Sequence, residues 1–137
     1  MKTYKGKVKK LKSNYIFVFG SNTQGRHGKG AALVAYKEFG AKYGLARGFY
    51  GNSYAIITKD LTKKKHPSIS KEFIIEQIVD LYKFANERKD LLFFIAYSGI
   101  GENLNGYSNQ DMAYMFSSCG QIPENIVFEI NFSKLLK

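Results

Sequence analysis

Short apolar runs alternate with amphipathic stretches along this chain. Ile16 to Phe19 is aromatic and β-branched and ends at Gly20-Ser21-Asn22, which predicts a buried strand entering a loop. Ala31 to Phe39 predicts a helix, with Leu33, Val34, Tyr36 and Phe39 available for burial and Gly40 and Gly44 after it. Gly48 to Ser53 is rich in turn residues, and Tyr54 to Thr58 predicts a strand. Pro67 stops a basic loop, and Ser68 or Ser70 can cap a long helix to about Asn86. Ile74, Ile78, Leu81, Tyr82 and Ala85 share one face of that helix, with Glu72 and Glu76 near its start and Lys83 and Arg88 near its end. Those charges suit the helix dipole.

Leu91 to Tyr97 is almost wholly apolar, as in a central strand covered on both faces. Ser108 and Asp111 have capping-box spacing, so Asn109 to Ser118 predicts a helix ended by Gly120. Asn125 to Ile130 predicts a last strand, followed by Asn131-Phe132 and a basic tail. Lys5 to Leu11 predicts a further strand in front, blurred by lysines at 5, 7, 9, 10 and 12. This alternation implies an α/β sandwich with a mixed, largely parallel sheet. There is no repeat, low-complexity segment or linker, so residues 1–137 read as one domain.

Composition narrows the picture. The 137 residues are 45% hydrophobic, enough for a real core without staples. One cysteine, Cys119, excludes an internal disulfide and reads as a small buried residue near a helix end. Two scattered histidines and that cysteine give no metal-ligand spacing. Twenty-one Lys and Arg against 11 Asp and Glu give +10. Such a charge attracts anions, including weak nonspecific contact with nucleic acid, but carries no site by itself. Lys63-Lys64-Lys65 reads as a solvated basic loop, with His66 a loop residue beside it. The apolar run Tyr15 to Phe19 is too short for a signal peptide, and nothing approaches a membrane span. A cytoplasmic protein without a membrane partner is expected.

Candidate chemistry gathers in two loops, each following a buried strand, where α/β folds bind ligands. The first runs Gly20-Ser21-Asn22 through His27-Gly28-Lys29-Gly30-Ala31. Its glycines let backbone N–H groups approach a bound group, and the following helix points its positive end at an anion. Lys29 is followed by Gly30 rather than Ser or Thr, so this is not a Walker A loop. The alternative is a tight strand-to-helix turn. The second loop is Ser98-Gly99-Ile100-Gly101-Glu102-Asn103-Leu104-Asn105-Gly106-Tyr107, with Tyr97 and Tyr107 flanking it. Two such loops at one sheet edge can clamp both sides of a pyrophosphate.

These loops resemble those of macrodomains, which bind ADP-ribose. Ser21-Asn22 followed by Gly28-Lys29-Gly30-Ala31-Ala32 is similar to the family's first loop, and Gly99-Ile100-Gly101 fits the core of its diphosphate loop. The stretch from Gly28 to Lys37-Glu38-Phe39-Gly40, and Ile57-Thr58-Lys59 before His66-Pro67, resemble the terminal ADP-ribose glycohydrolase subgroup. The resemblance spans about Ile16 to Phe132. It implies a three-layer α/β/α macrodomain-like sandwich that binds ADP-ribose or a related nucleotide diphosphate. It also implies possible removal of ADP-ribose from modified protein or nucleic acid, and no cofactor or metal.

On that basis the ligand-binding residues are Gly20, Ser21, Asn22, Gly28, Lys29, Gly30, Ala31, Ser98, Gly99, Ile100, Gly101, Glu102, Asn103, Tyr107 and Phe132. Phe132 would pack on adenine; the alternative for it is a hydrophobic plug. Catalytic candidates are Asn22, His27, Glu102 and Asn103, with His27 either a general acid or base or a simple loop donor. The subgroup uses a lysine before the middle strand and an aspartate in the diphosphate loop. Counting along this chain puts Arg47 and Asn103, or the adjacent Glu102, at those positions. Arginine stays charged and asparagine cannot act as a base. Hydrolysis would then rely on Asn22 and a ligand-activated water, unless Lys42 or Lys59 is the true counterpart of the lysine. A non-catalytic sensor or sponge for nucleotide signals is one alternative. A basic nucleic-acid-binding domain is the other.

Overall fold

A computed structural model describes residues 1–96 and 105–136. The elements in order are β1 (Lys2–Tyr4), β2 (Tyr15–Asn22), α1 (Gly30–Glu38), β3 (Gly48–Tyr50), β4 (Ser53–Lys59), α2 (Lys71–Glu87), β5 (Leu92–Ile95), α3 (Asn109–Ser117), β6 (Ile126–Glu129) and α4 (Ile130–Ser133). The strands form one sheet in the order β1-β6-β5-β2-β4-β3. All neighbours are parallel except the antiparallel pair β3 and β4. The expected mixed, largely parallel sheet is present. No helix among the described residues is long and apolar enough to cross a membrane.

Strand alternation divides the core into two layers. Ile16 and Val18 of β2, Phe93 and Ile95 of β5, and Ile126 and Phe128 of β6 meet α2, α3 and α4. Ile74, Ile78, Leu81 and Ala85 supply the α2 face and are fully buried there. Phe17 and Phe19, the intervening β2 residues, point the other way, onto Ala32 and Ala35 of α1 and onto Phe39. Small residues on α1 let it lie close to the rings; Phe17 and Phe39 stack with centroids 4.8 Å apart. The sheet thus lies between helices, an α/β/α sandwich.

Capping follows the sequence signals. Ser70, not Ser68, caps α2 by accepting from the Phe73 N–H at 3.1 Å. Ser68 instead accepts from the Asp60 N–H and bonds His66 Nδ1, each at 2.8 Å. Ser108 and Asp111 form the expected capping box on α3. Cys119 is half-buried and its Sγ donates to the Met115 carbonyl at 3.1 Å. Burial pushes its thiol pKa up, which suits a packing residue rather than a nucleophile.

Three expectations need correction. The first strand is Lys2–Tyr4 rather than Lys5 to Leu11, because only that stretch pairs, with Val127 to Glu129 of β6. The turn-rich stretch from Gly48 contains an edge strand, β3, whose Phe49 faces Tyr54 of β4. The chain does not run straight into a tail after β6. Glu129 accepts from the Phe132 N–H at 2.9 Å and starts the short α4.

Candidate functional site

Because β2, β4, β5 and β6 are parallel, their carboxyl ends share one edge of the sheet. A cavity of about 1250 Å³ opens there, large enough for a nucleotide-sized ligand. Gly20, Ser21 and Asn22 from the end of β2 line it, with Thr58 and Lys59 from the end of β4 and Ala96 beyond β5. Arg26, Gly28 and Lys29 from the loop before α1, and Gly30 and Ala31 from its first turn, close it. A smaller cavity of about 400 Å³ lies at the opposite edge, beside Asn125. There the Asn125 side chain already donates to the carbonyls of Ala85, Arg88 and Leu91.

The glycines of the first loop divide by function. Gly25 has φ +65°, and a Cβ there would lie 2.5 Å from the Gly44 backbone, so it permits two segments to touch. Gly28 is different: a Cβ there would meet nothing within 4 Å among the described residues, and its φ is ordinary. It leaves backbone open to the cavity. Beside it, α1 has Lys29 at its N-cap position with no side-chain cap, and no acidic residue in its first turn. The first N–H groups of a helix lack intrahelical partners and carry its positive end. The cavity they face carries Lys7, Lys9, Arg26, Lys29 and Lys59 and, among the described residues that line it, one carboxylate, Glu38.

Asn22 is placed to shape this loop. Its Nδ2 donates to the Arg26 carbonyl at 2.8 Å, and its Oδ1 accepts from the Arg26 N–H at 2.9 Å. A carboxamide has two donors and room for two bonds at oxygen, and among the described residues one of each has no partner. On β4, Lys59 is its register partner, and the Lys59 carbonyl accepts from the Thr23 N–H at 3.0 Å. Next to it, the hydroxyl and N–H of Thr62 hold the Asp60 carboxyl below its usual range.

The other expected residues scatter. His27 is 1% exposed and does not line the cavity. Its ring meets Phe19 and Tyr43 edge-on at 5.3 and 5.8 Å, and Ser21 Oγ lies 3.5 Å from Nε2. Burial lowers its pKa, and its buried Nδ1 has no hydrogen-bond partner among the described residues. This is a packed loop residue behind the Ser21 and Tyr43 side of the cavity. Phe132 is not an adenine wall: α4 swings it into the core, where it packs on Phe116 and Phe128. Tyr107 also faces the core, and its hydroxyl donates to the Ile69 carbonyl at 2.6 Å.

Arg47 precedes the edge strand β3, not the middle of the sheet, and is turned to α2. Its guanidinium lies 2.6 Å from Asp80 and 3.6 Å from Glu76, above the Phe73 ring. It does not line the cavity. Of the two alternative lysines, Lys59 lines the cavity, whereas Lys42 lies over the Tyr50 ring. Tyr97, Ser98, Gly99, Ile100, Gly101, Glu102 and Asn103 lie outside the described residues.

The cavity also uses Lys7, Lys9 and Tyr43, which sequence reasoning passed over as site residues, and Asn105 from the second loop. Asn105 is buried, and its Oδ1 accepts from the Tyr107 N–H at 3.0 Å. The lysines at 7 and 9 were visible only as noise in a strand pattern. Among the described residues, no cluster of His, Cys, Asp or Glu could hold a metal ion. The chain matches no family model, no curated protein and no solved structure.

Proposed function

We propose that this protein binds ADP-ribose or a related nucleotide diphosphate in the cavity at the carboxyl edge of its sheet. One observation carries the reading: open backbone at Gly28 adjoins the uncapped start of α1 in a basic cavity. Backbone N–H groups that are geometrically free, at a helix start, are a ready site for phosphate oxygens. The resemblance of Ser21-Asn22 and Gly28 to Ala32 to the macrodomain loop supports the choice of ligand. Asn22 would hold the Arg26 turn while its remaining donor and acceptor meet the distal ribose.

Recognition is the activity these residues support best. Release of ADP-ribose from a modified macromolecule would need a water activated by the ligand, because His27 is sequestered and Arg47 faces α2. A sensor or sponge would use the same cavity without turnover. Calorimetric titration with ADP-ribose tests the reading. Binding at or below millimolar Kd, about −4 kcal/mol, supports it; no binding overturns it. Assay of ADP-ribose release from modified protein then separates hydrolase from reader.

A further inference from the structure

Parallel strands need a crossover connection, usually through a helix. Between β1 and β2 this chain uses residues 5–14, which contain no helix. The crossover leaves the carboxyl end of β1, so it begins at the edge where the cavity opens. Two contacts fix its course. The Tyr4 hydroxyl donates to the Ile95 carbonyl at 2.6 Å and its ring meets Phe94, which pins the start beside β5. Val8 then packs against the α1-side core of Phe17, Phe19 and Ala35. With Val8 turned inward, exposed Lys7 and Lys9 flank it and line the cavity.

These two ammonium groups come from the β1 side of the sheet, whereas Arg26, Lys29 and the start of α1 come from the β2 side. Neither Lys7 nor Lys9 has an ion-pair partner among the described residues. A diphosphate held at the α1 start is matched by the cations there, which leaves the crossover pair for a separate charge. Lysine is a mobile point charge suited to phosphate. We propose that Lys7 and Lys9 form a second anion subsite, which takes a phosphate that the ligand carries in addition to its diphosphate. This rests on the nucleotide-diphosphate reading above. The extra phosphate can be a monoester on a free nucleotide or a diester of a nucleic acid bearing the ADP-ribosyl group.

The test compares three probes by calorimetry at low salt on the full chain: ADP-ribose, ADP-ribose 2′-phosphate, and a short oligonucleotide carrying one ADP-ribosyl group. At least one phosphorylated probe is expected to bind about tenfold tighter than ADP-ribose, the scale of one charged hydrogen bond. A tighter monoester identifies a free nucleotide, and a tighter oligonucleotide identifies a nucleic acid. The double substitution Lys7→Gln with Lys9→Gln should erase that advantage, bringing the phosphorylated probe to within about twofold of ADP-ribose in the variant, over and above any common loss that the removed charge imposes on every probe. Lys63→Gln with Lys64→Gln removes the same charge away from the cavity and should leave the advantage intact. The inference is overturned by equal affinities in the native protein, by an advantage that survives in the Lys7 and Lys9 variant, or by equal loss for all probes. If native protein binds none of the probes, the nucleotide reading fails and takes this inference with it.

Discussion

Asn22 and Lys59 are register partners where β2 and β4 reach the cavity, and they act on different things. Asn22 spends its amide on the Arg26 backbone, whereas Lys59 ties the neighbouring strand through its carbonyl and leaves its ammonium group at the cavity. Asn22→Ala removes two hydrogen bonds from a nearly buried turn and should cost about 1–3 kcal/mol of stability. That is a fall of several degrees in Tm for a chain of this size. Lys59→Gln should leave Tm within about a degree, since this half-buried lysine has no ion-pair partner among the described residues and a partly solvated charge contributes little to folding, yet weaken ADP-ribose about three- to tenfold through a lost charged hydrogen bond. Thermal melts and titrations of the two variants, run side by side, check the division. Equal effects on Tm would contradict it.

The first loop's glycines should separate in the same way. Gly25→Ala forces a side chain at φ +65° against the Gly44 backbone. It should destabilise by at least about 1–3 kcal/mol, through strain and overpacking. Gly28→Val has space and an ordinary φ, so the fold should tolerate it. Its methyl groups would stand where a phosphate must approach the backbone. Binding should fall by about tenfold or more as an N–H contact to the anion is lost. A Gly28→Val protein that melts normally and binds ADP-ribose normally would remove the diphosphate from this loop.

Arg47 gives a prediction of little effect. Its ion pairs with Asp80 and Glu76 lie at the surface, where all three side chains keep a third or more of their exposure. Arg47→Gln should change stability by no more than about 1 kcal/mol and leave ADP-ribose affinity unaltered. Introducing Lys at 47 should likewise produce no lysine–sugar adduct on reduction, because the position faces α2. An adduct trapped at residue 47 would show that the segment before β3 swings into the cavity.

Strands β2, β4, β5 and β6, the long helix and the loop before α1 are legible in the sequence because short apolar runs, capping serines and clustered glycines are local signals. Ser70 and the Ser108–Asp111 box fall where their spacing places them. What is not local is which side of the sheet a residue finally faces. Phe132 follows the last strand as a cavity wall should, but the Glu129 cap turns the chain within three residues and sends the ring to Phe116. Arg47 sits at a plausible count before a strand, but that strand is the edge strand β3, and the acidic residues of α2 capture it. Lys7 and Lys9 broke a strand pattern because their segment is a crossover, whose direction is set by β1 pairing with β6 at the far end of the chain.

His27 provides the last prediction, through pH. Its imidazole is 1% exposed, lies against Phe19 and Tyr43, and has an unpartnered Nδ1 among the described residues. Desolvation lowers its pKa below the ordinary 6.5. The neutral ring fits this slot; the imidazolium would place a charge and a second N–H donor in it without an acceptor. The unfolded chain, with His27 near 6.5, takes up this proton before the folded protein does. Protonation therefore favours unfolding. The His27 contribution is complete above the unfolded value and is lost as pH falls below it toward the lower folded value. Native protein should lose Tm from about pH 6.5 downward, with an apparent proton uptake on unfolding. His27→Gln lacks the titration and should flatten that part of the profile, whatever its absolute stability. The slope of Tm against pH between about 7 and 5, compared for the two proteins, is the measurement, since carboxylates shared by both contribute equally. An unchanged slope in His27→Gln would mean that the ring finds a proton acceptor when charged, and that the loop before α1 adapts to it.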